Sequence, residues 1–211
     1  KLAGIAYIIA VVLGVVVGVV AAVNHGKWVD SVLMTISVFG ISAPAFWIAI
    51  ILQIVICLKF NLLPLSGIDS FKSFILPGIA LGTRYAASIA RITRTSMLDV
   101  LSQDYIRTAE AKGLKGWVVT IKHALRNALI PIITIAGSDL GNILTGSVLV
   151  ESVFSIPGIG KMLVDSINTR DLPIVQGGVM YIAVICVIMY LVVDLLYTVV
   201  DPRIRLGKES S

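Results

Sequence analysis

The sequence predicts an all-α, polytopic membrane helix bundle, and three observations carry that prediction. Hydrophobic residues make up 57% of the 211, charged residues 14%, and mean hydropathy is +0.98, too apolar and too charge-poor to give a soluble domain an ordinary surface. The apolar residues gather into five runs, 2–23, 32–58, 74–90, 128–150 and 174–200, and about 20 helical residues suffice to cross about 30 Å of hydrocarbon. None of the runs shows the alternation of a membrane barrel, so backbone groups in lipid must be satisfied inside helices.

Each element follows in order. The run 2–23 is longer than the ~7–15-residue apolar core of a secretory signal, so it is read as a true span. Within it, Gly14-Val-Val-Val-Gly18 fits the small-xxx-small pattern of close helix packing. The run 32–58 holds Pro44, which predicts a kink in one helix. Residues 59–73 carry Pro64 and Gly67 and read as a turn-rich loop. The run 74–90 is marginal as a span, with its helix carried on to about 95. After the fourth run, residues 151–173 are interrupted by Pro157-Gly158-Ile-Gly160 and are expected to dip toward a pore mouth as a short helix pair. The fifth run contains Asp194 close to its end, and a polar tail follows Asp201-Pro202. One transmembrane domain is assigned to 1–206 and a tail to 207–211.

Basic residues orient the spans. One set of alternate loops carries Lys27, Arg91, Arg94, Arg107, Lys112, Lys115, Lys122, Arg126, Arg203, Arg205 and Lys208, and the other carries Lys1, Lys59, Lys72, Lys161 and Arg170. Eleven against five places the first set, with the C-terminus, in the cytoplasm. Residue 1 then lies outside, which predicts an earlier span ahead of this chain.

Several function classes are excluded or disfavoured. The net charge of +5 sits beside spans and not in a soluble patch with interleaved aromatics, so nucleic acid is not the partner. Cys57 and Cys186 lie in apolar runs without CxxC spacing and read as small buried hydrophobes. His25 and His123 have no partner at ligand spacing, so no metal site is expected. Ile159-Gly-Lys-Met162 lacks both the upstream glycine, where Ser155 stands, and the Ser or Thr after the lysine required of a phosphate loop. The chain is expected to bind no ATP or other cofactor and to be no enzyme, since no nucleophile-base constellation is present.

The insert 105–127 is the chemically informative segment. It is charged, rich in helix formers and held between two apolar runs, as a docking element for a soluble partner would be. Ala109, Ala111 and Gly113 are small enough for another protein to approach the backbone, while Arg107, Glu110, Lys112 and Lys115 supply charge. Gly113 is placed to end a helical turn or permit close approach. These features point to an energy-coupled transporter subunit whose motor is a separate chain.

The sequence from about residue 90 to 206 is similar to the permease subunits of ABC importers of the dipeptide/oligopeptide/nickel family. The resemblance rests on Ala90-Arg-Ile-Thr-Arg-Thr-Ser-Met-Leu98, Tyr105-Ile-Arg-Thr-Ala-Glu-Ala-Lys-Gly-Leu114, Lys122-His-Ala-Leu-Arg-Asn-Ala-Leu-Ile-Pro131, Glu151-Ser-Val-Phe-Ser-Ile-Pro-Gly-Ile-Gly160, Val193-Asp-Leu-Leu-Tyr197 and Asp201-Pro-Arg-Ile-Arg205. A looser match continues through Ile41-Ser-Ala-Pro-Ala-Phe-Trp47 and Leu63-Pro-Leu-Ser-Gly67. Against the general Glu-Ala-Ala coupling signature of ABC importers, only Ala109, Gly113 and Leu125 agree, and the departures resemble the peptide/nickel branch's own version.

That resemblance implies a type I ABC importer transmembrane domain, with five spans here of an expected six. It implies a homologous second permease, two cytoplasmic ATPases carrying ATP and Mg, and an extracytoplasmic solute-binding protein, assembled in the inner membrane of a bacterial or archaeal cell. Arg107, Thr108, Ala109, Glu110, Ala111, Lys112, Gly113 and Leu114 would form the helix that couples ATPase closure to alternating access. Within the spans, Arg84, Asp139 and Asn142 are candidates for the translocation path or for polar packing. For Asp139, a packing role beside Gly137 and Gly141 is favoured, with Arg84 as a candidate partner. The expected cargo is a di- or oligopeptide or related small solute, the alternative a nickel or other metal chelate. A secondary transporter or an intramembrane enzyme is the rival class, for which Asp139 and Arg84 alone supply too few mid-membrane groups.

Overall fold

The protein is described by a computed structural model covering residues 1–67 and 70–200, with side chains 144–147, 194 and 196–200 outside the description. The tail assigned to 207–211 and the Asp201–Arg205 motif therefore lie outside the described residues. Among the described residues every regular element is helical.

Helix α1, Leu2–Val23, takes the bounds read from its apolar run, and its small residues explain where it packs. Ala6, Ala10, Gly14, Gly18 and Ala22 recur every fourth position and are buried, which on a 3.6-residue repeat lines one face. That face lies along α4, Ile75–Leu101. A Cβ on Gly82 would come 2.7 Å from the Ala6 carbonyl oxygen, one on Gly14 2.7 Å from Ile89, and one on Gly18 would overlap Thr93. Residue numbers rise together along this seam, so the two helices run parallel with their backbones nearly touching. The partner of the Gly14–Gly18 pattern is thus within the chain.

The 32–58 run is broken, not kinked. Helix α2, Trp28–Ser42, and helix α3, Ala45–Leu52, which continues as a π-type turn at Gln53–Lys59, meet at 106°. Pro44 disfavours helical geometry in the residue before it, and Ala43 and Pro44 are both extended, with ψ of 131° and 136°. Gly40 approaches Ala87 and Thr83 of α4. Beyond the bend the Gln53 amide donates to the carbonyls of Leu65 and Val153, reaching the far end of the bundle.

Helix α4 sits at the centre, packed on α1, α2, α3 and α7. Leu2–Val23, Gly116–Ile143, Leu172–Val193 and the bent pair are apolar and long enough to cross a membrane, whereas α4, with Arg84, Arg91, Arg94 and Asp99, is long enough but not apolar enough. Its neighbours cover most of its faces and leave Arg84, Arg91 and Thr95 exposed.

After α4 come α5, Asp104–Ala111, and α6, Gly116–Val118. From α6 the chain passes through a π-type turn at Val119–Leu125 directly into α7, Arg126–Val153. The stretch 105–127 is thereby divided at Gly113–Lys115, and its second half winds into the long helix.

Beyond α7 there is one short helix, α8, Ile159–Asn168, where a pair was expected. Glu151 accounts for it. Its buried carboxylate accepts the N–H groups of Gly160 at 2.8 Å and Lys161 at 3.2 Å, an anionic cap on the first turn of α8. The approach is so close that a Cβ on Gly158 or Gly160 would overlap the carboxylate. Helix α9, Leu172–Val200, follows.

Candidate functional site

The end of the bundle that gathers Asn24–Lys27, Arg94 and residues 102–125 is its basic end, and α5 lies there. Gln103 is extended ahead of it, and Asp104 places an acid in the first turn, where the helix dipole favours one. The helix is amphipathic over two turns. Ile106 and Ala109 are 1% and 6% exposed, within a cluster that includes Ala22, Met97, Val119 and Ala124. Tyr105 accepts a hydrogen bond from the Asn127 side chain at 3.1 Å, joining α5 to the start of α7.

Helix α5 stops by a Schellman motif. The Leu114 N–H reaches the Ala109 carbonyl and the Gly113 N–H reaches the Glu110 carbonyl at 2.8 Å, with Gly113 at φ +77°. A Cβ on Gly113 would meet nothing within 4 Å, so this glycine is required by backbone conformation and not by a close neighbour.

Ala109 therefore differs from the expectation for it. A residue covered by its own chain cannot be the point where another protein approaches the backbone. Ile106 and Ala109 lie three apart on one face, and that face is the anchor. Arg107, Thr108, Glu110, Ala111, Lys112, Gly113 and Leu114 are all exposed together on the other side. Between this element and the end of α1 lies an open cleft of about 670 Å³ with Glu110, Val20, Trp117 and Ile121 in its lining.

A second cluster at the same end was not foreseen. Asp30, in the first turn of α2, is buried and takes a two-pronged contact from Arg94 of α4, Nε to Oδ1 at 2.6 Å and Nη2 to Oδ2 at 2.8 Å. The Gly26 N–H also donates to Oδ2, and His25 Nδ1 lies 3.1 Å from Oδ2 and 3.0 Å from Arg94 Nη2. His25 is thus part of an ion-pair cluster. Planar guanidinium-carboxylate pairing of this kind fixes orientation as well as distance. The available signal was an acid in the first turn of one span and an arginine at the same depth of another, 64 residues apart.

The intramembrane candidates come together in part. Asp139 is buried, takes a side-chain hydrogen bond from Asn142, and feels the charge of Arg84. Its Oδ2 has no hydrogen-bond partner, and no ion pair to Arg84 forms among the described residues. Arg84 and Asn142 are exposed. Gly141 receives the ring of Tyr190 from α9, where a Cβ would come within 2.6 Å of it. Small-residue packing next to Asp139 is therefore present, while the Asp139–Arg84 pair is near but open.

Residues 14–206 match the family described as binding-protein-dependent transport system inner membrane component. The chain is 45% identical over 196 residues, 93% of its length, to the glutathione transport system permease protein GsiC of Escherichia coli (strain K12). It is equally identical over 198 residues to the protein of that name from Salmonella choleraesuis (strain SC-B67). It spans 64% and 65% of the length of these relatives. Among solved structures, an inward-facing MetNI methionine ABC transporter aligns with a TM-score of 0.78 at 15% identity, over 95% of this chain and 91% of that one. An amino acid ABC transporter solved with histidines aligns with a TM-score of 0.63 at 18% identity, over 94% and 89%. At those identities the likeness is one of fold. An all-helical bundle with this fold, matched to the family over nearly its whole length, belongs to the inner-membrane permease components of binding-protein-dependent ABC importers.

Proposed function

We propose that this chain forms part of the membrane pathway of an ATP-driven importer for a peptide-like solute, and that α5 with Gly113 and Leu114 receives the ATPase. The observation that carries the reading is the division of α5 into two faces. An apolar face, Ile106 and Ala109, packs it on the Val119–Leu125 turn that leads into α7, while Arg107, Thr108, Glu110, Ala111 and Lys112 stay open for a separate protein. A force on the open face passes through that turn to α7 without deforming α5, because the Schellman stop and the Tyr105–Asn127 contact hold both its ends. The basic residues around it favour the cytoplasmic side, where an ATPase would be found. A second permease and an external solute-binding protein complete the proposed assembly. The glutathione cargo of the 45%-identical relatives favours peptide-like solutes over metal chelates.

The test uses Ala111, which is exposed, in place of Ala109. In the assembled importer, Ala111→Trp is expected to lower uptake at least tenfold and to weaken co-purification of the ATPase, with insertion unchanged. Gly116→Ala, with nothing within 4 Å of the added Cβ, is the control. Unaltered uptake and co-purification in Ala111→Trp would reject α5 as the docking element.

A further inference from the structure

Helix α4 carries a polar line along its length. Arg84, Ser88, Arg91 and Thr95 are spaced four, three and four residues apart and so share one face. Arg84, Arg91 and Thr95 are exposed and Ser88 is half-buried, while Leu81, Ala87, Ile89, Ala90 and Met97 on the remaining faces are buried.

Depth distinguishes Arg84 from the other members. Gly82 packs on Ala6 and Ile9 of α1, and Ile89 packs on Gly14, so Arg84 lies between those two levels. Arg84 is therefore level with the middle of the 22-residue α1, about 14 Å from the start of α4 at 1.5 Å per residue. An exposed guanidinium at that depth is costly against lipid and belongs against water or a polar partner. Arg94 has its donors engaged by Asp30, but Arg84 has not closed on Asp139. It stays exposed while a buried carboxylate with one unpartnered oxygen, Asp139 Oδ2, stands within its electrostatic reach. That arrangement offsets the cost of holding a cation in mid-span and leaves the guanidinium fork free for a planar anion.

We infer that Arg84 is a carboxylate-reading group on the translocation path. Arg91, seven residues and about 10 Å further along the same face, is the next station toward the basic end. The ligand class is the carboxylate of a peptide-like solute, so the inference rests on the importer reading above and adds which group of the solute is recognised and where.

The test separates the two. The complete importer is reconstituted with Cys57 and Cys186 replaced by alanine and Ser88→Cys as a reporter one turn from Arg84. The reporter thiol is expected to react with membrane-impermeant methanethiosulfonates and to prefer the anionic sulfonatoethyl reagent over the cationic trimethylammonioethyl one. Arg84→Gln should lower that rate ratio at least tenfold, and Arg84→Lys should preserve most of it. Uptake of S-methylglutathione is measured separately with Ser88 in place and should fall at least tenfold in Arg84→Gln.

A reporter thiol unreactive both without nucleotide and with nucleotide trapped would place this face against lipid or the second permease and overturn the inference. So would a rate ratio, or an uptake, indifferent to Arg84→Gln. If the unaltered importer moves no S-methylglutathione while the rate ratio responds as expected, the cargo reading fails and the anion site stands.

Discussion

Helices α4 and α9 are both long enough to cross a bilayer, at 27 and 29 residues, yet their surfaces are opposites. On α4 the apolar and small residues are buried and the exposed line is Arg84, Ser88, Arg91 and Thr95. On α9 the exposed residues include Val179, Met180, Val184, Val187, Ile188 and Leu191. The more polar helix is the central one. Hydropathy here reports what a helix touches, not whether it crosses: α9 meets lipid or another apolar surface and must be greasy outside, while α4 is surrounded by α1, α2, α3 and α7 and can carry charge on the side they leave open.

The largest expected effect tests whether α4 is truly enclosed. Gly18→Leu would drive a side chain into Thr93 and the Ala90 carbonyl, where even a single methyl group does not fit. Backbone lies on both sides of that seam, so relief requires the helices to separate. A loss of about 4 kcal/mol or more is expected, since overpacking alone costs roughly 1–3 kcal/mol and the parted seam loses its burial as well. Thermal unfolding in detergent would report it, with Gly4→Leu as control because a Cβ there meets nothing within 4 Å. Equal stability of the two variants would mean that α1 and α4 are not in such close contact.

The same seam shows what could be read from the sequence. Its small residues were visible as a pattern, but a pattern on α1 names no partner, and only the fold shows that Ile89, Ala90 and Thr93 receive it. The first helix was legible to the residue because apolar length decides it. The break at Pro44 exceeds the kink that a proline inside a helix predicts, because both Ala43 and Pro44 adopt extended geometry. On the candidate site, the position of the helix stop at Gly113 followed from local chemistry. The burial of Ala109 did not, since which side of a two-turn helix is covered depends on Val119 and Ala124, which come later in the chain. The Asp30–Arg94 contact was invisible for the same reason.

That contact gives the next effect in size, and it sharpens the distinction between the arginines of α4. Arg94 is committed to a fold contact, whereas Arg84 is open. Arg94→Leu leaves the buried Asp30, its side chain 6% exposed, with only His25 and the Gly26 N–H beside it, and removing one partner of such a pair costs about 3–5 kcal/mol. Asp30→Asn combined with Arg94→Leu should recover a large part of that loss, because the stranded charge is gone. Unfolding midpoints of the two single variants and the double variant would give the coupling. If the effects simply add, Arg94 is no more engaged with Asp30 than Arg84 is with Asp139, and the contrast within α4 disappears.

The smallest effects are expected on α9, where the comparison can be inverted. Val187 is 67% exposed near the middle of the helix, so Val187→Ala removes little packing and should change stability by no more than about 0.5 kcal/mol. Val187→Lys places on α9 the kind of charge that α4 carries at Arg84, still deeper in the helix. Here the exposed neighbours one turn away are Val184, Tyr190 and Leu191, so the insertion cost of a central lysine, about 2.5–3.5 kcal/mol, should be felt. The check is the fraction of α9 inserted, read by glycosylation or protease mapping, for the two variants side by side. A lysine tolerated at 187 as well as alanine would mean that the α9 surface faces water or a polar partner, and that exposure on α4 and on α9 is of one kind after all.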